Sequence, residues 1–69
     1  MHITFDPKAD ALYIQFRSGR VAKTRRLADG VMVDVDRRGR VFGIEILDAS
    51  FRLSRQALAD VDVHLPAST

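Results

Sequence analysis

Apolar and polar residues alternate with a period of two through the first two-thirds of the chain, the pattern of strands that bury one side. Ile3 and Phe5 mark a first strand over residues 2–5, and Leu12, Ile14 and Phe16 share one side of a second over residues 11–17. The same alternation predicts a polar third strand over 20–27, a fourth over 31–36 and a fifth over 40–47. Turn signals separate them. Pro7 presets the φ of a turn in which Asp6 accepts backbone bonds, and Ser18-Gly19 and Asp29-Gly30 read as two-residue hairpin loops. Asp36-Arg37-Arg38-Gly39 reads as a type I turn closed by a left-handed glycine. After Leu47 the period lengthens, which predicts one helix from Asp48 to about Asp60, with Asp48, Ser50 or Ser54 as its N-cap. Alternation resumes over residues 61–65, a candidate short sixth strand before Pro66. The expected fold class is α+β, a five-stranded antiparallel meander with one C-terminal helix, in a single domain over residues 1–69.

Counting outward from the three loops sets an expected register. Phe16 then faces Val21, Leu27 faces Met32, Arg25 faces Asp34, Lys23 faces Asp36, and Phe42 lies beyond Asp34. Two opposite-charge pairs result, and a one-residue slip would move every side chain to the other face. This register puts Leu12, Ile14, Phe16, Val21, Leu27, Met32, Phe42, Ile44 and Ile46 on one face, beside a corner of Lys23, Arg25, Asp34, Asp36 and Arg40. It puts Tyr13, Val31, Val33, Val35, Val41 and Leu47 on the other, beside Arg17, Arg20 and Arg26. Apolar residues on both faces and one short helix to cover them predict a second copy of the chain as the missing layer.

Size points the same way. A 69-residue chain buries only about 60% of its unfolded surface, too little for two domains and an intervening cleft. It has no cysteine, so neither disulfides nor thiolate-bound zinc can brace it. Eleven basic residues against nine acidic ones give +2, a weak field by itself. No apolar run approaches the ~18–20 residues of a membrane span, and no signal-type segment opens the chain. The expectation is a cytoplasmic protein.

Four segments carry a specific resemblance: Ile3-Thr4-Phe5-Asp6-Pro7; Ala9-Asp10-Ala11-Leu12-Tyr13-Ile14; Gly30-Val31-Met32-Val33-Asp34-Val35-Asp36; and the run from Gly39 through Phe42-Gly43-Ile44-Glu45-Ile46 to Ser50. Together they resemble the small prokaryotic domain-of-unknown-function family numbered 2283, over residues 2 to about 51. The resemblance implies a compact sheet-plus-helix domain without known enzymatic activity. Members encoded beside small toxins suggest an antitoxin-like role, with a small toxin-like protein as partner.

Candidate chemistry is sparse. Asp34 and Asp36 share a strand face, but a metal-nuclease pattern would need a lysine where Leu47 stands, so no metal is expected. Glu45, between Ile44 and Ile46, is expected to pair with an arginine across the sheet or a dimer interface. Gly43, placed opposite Val33, leaves room for a close approach. His2 and His64 form no chelating pair. The serines lack a nucleophile elbow, and no glycine-rich loop cradles phosphate. No catalytic residue, cofactor or enzymatic activity is expected. The leading reading is a homodimeric protein-interaction module whose charge cluster is Lys23, Arg25, Asp34, Asp36 and Glu45. The alternative, from another class, is a small nucleic-acid binder using Arg17, Arg20 and Arg26, for which Tyr13 is the available stacking aromatic.

Overall fold

The first five alternating segments become strands. A computed structural model, which describes residues 1–59, contains β1 (His2–Asp6), β2 (Ala11–Gln15), β3 (Lys23–Ala28), β4 (Val31–Val35) and β5 (Val41–Leu47). They form one antiparallel sheet, followed by two single-turn helices, α1 (Ala49–Arg52) and α2 (Arg55–Ala59). The α+β class therefore stands. The candidate sixth strand over 61–65 and His64 lie outside the described residues.

The strand order is β1-β2-β5-β4-β3, so β5 lies between β2 and β4. The expected Ser18-Gly19 hairpin does not form, and Phe16 does not face Val21. Instead the Phe16 N–H donates to the Phe42 carbonyl at 2.8 Å, and the Ala22 N–H to the Val35 carbonyl at 2.8 Å. Residues 16–22 thus cross the end of the sheet. The physical reason is apolar matching: β5 offers Ile46 opposite Leu12 and Ile44 opposite Ile14, whereas the polar stretch from Arg20 to Arg26 offers β2 nothing comparable to bury.

Two bulges change the register. The Asp29-Gly30 loop places Ala28 opposite Val31 as counted, but Arg26 then faces Met32, leaving Leu27 as the extra residue. Gly30 takes a positive φ of 72° while Asp29 does not, so the loop is not the type I′ turn whose twist suits an unbulged hairpin. At the other end the Asp36–Gly39 turn forms as expected. The Gly39 N–H reaches the Asp36 carbonyl at 3.0 Å, and the Asp36 N–H donates to Arg40 at 2.9 Å. The register then slips: Val35 faces Val41 but Asp34 faces Gly43, with Phe42 extra.

One extra residue inverts every pairing beyond it. Arg25 faces Val33 rather than Asp34, Lys23 faces Val35 rather than Asp36, and Thr24 takes the place opposite Asp34. What the slip gains is a sorted sheet. Val31, Val33 and Val35 now share a face with Ile44 and Ile46 and with Ile3, Phe5, Leu12 and Ile14. Cross-strand charge pairs are worth about 0.2–1 kcal/mol each, whereas burying a valine fully is worth about 1.5–3 kcal/mol. Three valines, even partly buried, outweigh two such pairs. The expectation of apolar residues on both faces is therefore corrected: one face is apolar but for Lys23 and Arg25 on its β3 edge, and the other carries Thr4, Tyr13, Gln15, Thr24, Arg26, Asp34 and Glu45, with Met32 as a large aliphatic side chain among them.

The single expected helix is two. Leu53 is extended at φ −118°, ψ 146°, and closes α1, and the Ser54 hydroxyl caps the next turn by accepting from the Ala57 N–H at 3.0 Å. Asp48 stands at the start of α1 in a left-handed conformation and makes no side-chain cap. Asp10, from the β1–β2 turn, takes that role. Its carboxylate accepts from the Ser50 N–H at 3.0 Å and the Ser50 hydroxyl at 2.6 Å, and its carbonyl from the Ala49 N–H at 2.9 Å. Ala49 is fully buried there.

Candidate functional site

Three surfaces bear chemistry: a hydroxyl–carboxylate cluster on the polar face, the apolar face, and an arginine-rich end. The cluster follows from the shifted register. Tyr13 lies opposite Glu45 and leans diagonally over Gly43, donating its hydroxyl to Asp34 Oδ2 at 2.7 Å. Thr24 donates to Asp34 Oδ1 at 2.6 Å. Both carboxylate oxygens thus accept from neutral donors, and no Arg25–Asp34 pair forms. Burial first, then the bond to Asp34, then the charges of Asp34 and Glu45 raise the Tyr13 hydroxyl far above the ordinary tyrosine range. A proton held this firmly makes a structural donor. Gly43 is opposite Asp34 and Gln15, not Val33, and the space it leaves is filled by the Tyr13 ring rather than by a helix or a second chain.

Glu45 is half-buried between Tyr13 and Met32 in the register. No arginine lies opposite it, which corrects the expected cross-sheet pair. Arg26 flanks Met32 instead and reaches Asp29 at 3.3 Å, with both side chains largely in solvent. Among the described residues no group of three or more His, Cys, Asp or Glu side chains gathers to hold a metal ion.

Asp36 works within its own turn. Its Oδ1 accepts from the Arg38 and Arg40 N–H groups, each at 2.9 Å, and its Oδ2 from Arg40 Nε at 2.9 Å. These bonds, led by the one from the Arg40 backbone, hold its carboxyl below the ordinary aspartate range. The Lys23–Asp36 pair is replaced by Asp36–Arg40.

The loop over 16–22 and the β4–β5 turn meet at one end of the sheet. Arg17, Arg20, Lys23, Arg37, Arg38 and Arg40 gather there, and among the described residues Asp36 is the one carboxylate beside them. The opposite end holds Asp6, Asp10, Asp29 and Asp48 with Lys8 and Arg52. A chain of net charge +2 is thus strongly polarised by its topology. Of the candidate nucleic-acid residues, Arg17 and Arg20 belong to the basic end and Arg26 does not. Arg37 and Arg38 were missed, and Arg40 was assigned to a charged corner of the sheet only, because a turn sequence shows its own bonds and not the loop folded beside it.

The apolar face stays half-open. Leu12 and Phe42 are buried, but Ile3, Phe5, Ile14, Val31, Val33, Val35, Ile44 and Ile46 are all partly exposed. Contacts between elements run strand to strand, and among the described residues neither helix packs along the sheet.

No helix among the described residues is long and apolar enough to cross a membrane. No curated protein and no solved structure matches the chain. A family described as a protein of unknown function, DUF2283, matches residues 2–50, the stretch that builds the whole sheet and the Asp10–Ser50 clamp. The chain belongs to the DUF2283 family.

Proposed function

We propose that the protein is a non-enzymatic, homodimeric protein-interaction module whose two copies pack through the apolar face of the sheet. The observation that carries this reading is the contiguous, half-exposed row of Ile14, Val33 and Ile44 beside the half-exposed Val31 and Ile46 and the buried Leu12. Five strands at ~4.8 Å and about six residues at ~3.3 Å give a face of about 500 Å². Two copies would then cover about 1,000 Å², the threshold of a specific interface. The middle of the face carries no charge, so a two-fold axis brings no like charges together there; Lys23 and Arg25 stand at its β3 rim. A second copy meets a flat apolar sheet with its own equal, as the inner faces of a sandwich do.

The test is the mass in solution together with the concentration dependence of thermal unfolding. A dimer of 7.7 kDa chains whose Tm rises with protein concentration is expected, with Ile44→Asp giving a monomer. A wild-type monomer at micromolar concentration with a concentration-independent Tm would overturn the reading.

A second, antitoxin-like contact is favoured by Phe51, which is 91% exposed on α1. An aromatic ring left in water on a clamped helical turn suits a protein partner's pocket. Purified product of an adjacent small toxin-like gene should bind the wild-type chain and lose most of that binding with Phe51→Asp.

A further inference from the structure

We infer that the arginine-rich end of the sheet is a binding track for single-stranded nucleic acid. Three neighbouring clefts share walls at this end. A small one, about 170 Å³, is shared by Phe16, Arg17 and Ser18. Ser18 is also a wall of the next, about 300 Å³, which Arg20 lines on one rim and Arg37, Arg38 and Arg40 on the other. Arg37 continues into the third, about 610 Å³, beside Lys23 and Arg25. Shared walls at Ser18 and at Asp36 and Arg37 set the three clefts side by side as a groove along this end.

The chemistry of the groove selects the ligand. Its cations are mostly arginines, whose planar forks bind phosphate oxygens two at a time. Asp36, the carboxylate inside it, is occupied by Arg40 and the turn backbone, leaving Arg17, Arg20, Arg37 and Arg38 without ion pairs among the described residues. Phe16, 43% exposed, lies at the mouth of the groove beside Arg17. An aromatic ring next to a phosphate-binding track is what a base stacks on, and a duplex or an acidic peptide has no free base to offer it. Tyr13, the aromatic expected from the sequence to stack, is committed to Asp34.

Fluorescence anisotropy with a labelled twelve-nucleotide oligothymidine tests this. Binding is expected at low salt, weakening as salt rises, and weaker for a duplex of the same length. Arg20→Gln, Arg37→Gln and Arg38→Gln combined should weaken binding at least about tenfold and lower the log–log salt slope by about 2. Phe16→Ala should weaken it at least about fivefold. Lys8→Gln, Arg26→Gln and Arg55→Gln combined remove the same net charge elsewhere and should leave affinity within about twofold; circular dichroism checks that each variant keeps its sheet. No binding at low salt, equal losses from the two triple variants, an unchanged Phe16→Ala, or equal affinity for the duplex, an acidic peptide or anionic vesicles would each overturn the proposal.

Discussion

The Tyr13 hydroxyl donates to Asp34 Oδ2 at 2.7 Å, bridging β2 and β4 across the glycine of the strand between them. Residues 21 apart in sequence are joined over Gly43, the one position of β5 with no side chain in the way.

That bond can be read directly, because Tyr13 is the one tyrosine in the chain. Phenolate absorbance should stay low through pH 10, the ordinary tyrosine value, and rise only well beyond it. Folding raises this pKa, so the stability it contributes is fully present below about pH 10 and is lost as pH climbs toward the folded value. Tyr13→Phe keeps the ring over Gly43 and removes the donor; it should cost about 1–2 kcal/mol at neutral pH and flatten the alkaline limb of the Tm profile. Ionisation at the ordinary value would show that the bond does not persist in solution.

Gly43→Ala tests the same arrangement from below. A methyl group there would press into the Tyr13 ring and stand 2.8 Å from the Ile14 carbonyl oxygen. The ring can swing away but the backbone cannot, so a loss of about 1–3 kcal/mol is expected. Adding Tyr13→Ala should cost less than the two single losses summed, since one substitution removes what the other collides with. Strict additivity in chemical denaturation would place the strain elsewhere.

Asp36 predicts behaviour at the acid end. Its carboxyl is held below the ordinary range by the turn's N–H groups and Arg40, so its contribution is present above the unfolded value near pH 4 and lost as pH falls through the folded one. Asp36→Asn should lower Tm at pH 7 and change it little at pH 2, narrowing the difference between the two. The same Tm loss at both values would mean that the charge does not matter.

The strands were legible because alternation and turn residues are local, and the boundaries of all five came out within three residues. Register was not. Leu27 and Phe42 fit the alternation of their strands, and nothing nearby marks either as an extra residue; each bulge is chosen by which faces end up together, a property of three strands at once. The expected Arg25–Asp34 and Lys23–Asp36 pairs are self-consistent for the same reason, since both are counted from the one Asp29-Gly30 loop and shift together when Leu27 bulges. The polar cluster and the arginine-rich end were hidden with the strand order: once β5 parts β2 from β3, Tyr13 reaches Asp34 and the 16–22 loop meets the β4–β5 turn.

The two bulge residues differ in what they support. Phe42 is 7% exposed and Leu27 68%, so Phe42→Ala should cost about 3–5 kcal/mol, or abolish folding, while Leu27→Ser should stay within about 0.5 kcal/mol of the wild type. Under the unbulged register both would sit on an apolar face and both would cost. Urea unfolding of the two variants distinguishes the registers without a further structure.

Asp10 and Ser50 join two segments that the family resemblance runs through separately, 40 positions apart. Asp10 holds a left-handed φ of 51°, a conformation Asp and Asn tolerate and most residues do not, while its carboxylate supplies the cap that Asp48 does not. The two roles separate by substitution. Asp10→Gly keeps the backbone and loses the hydrogen bonds to Ser50, costing about 0.5–1.5 kcal/mol. Asp10→Ala loses the cap and adds the left-handed penalty of about 1–2 kcal/mol, so it should be the less stable of the two. Asp10→Asn should be the mildest, since its side-chain oxygen still accepts from the Ser50 N–H. Because α1 carries the exposed Phe51, loosening it should also lower amide-exchange protection at Phe51 and Arg52, whose N–H groups bond the Asp48 carbonyl, before any protection in β5 is lost. If Asp10→Gly left both Tm and that protection unchanged, the helix would be held by Ala49 burial alone, and the turn between β1 and β2 would have no part in presenting Phe51.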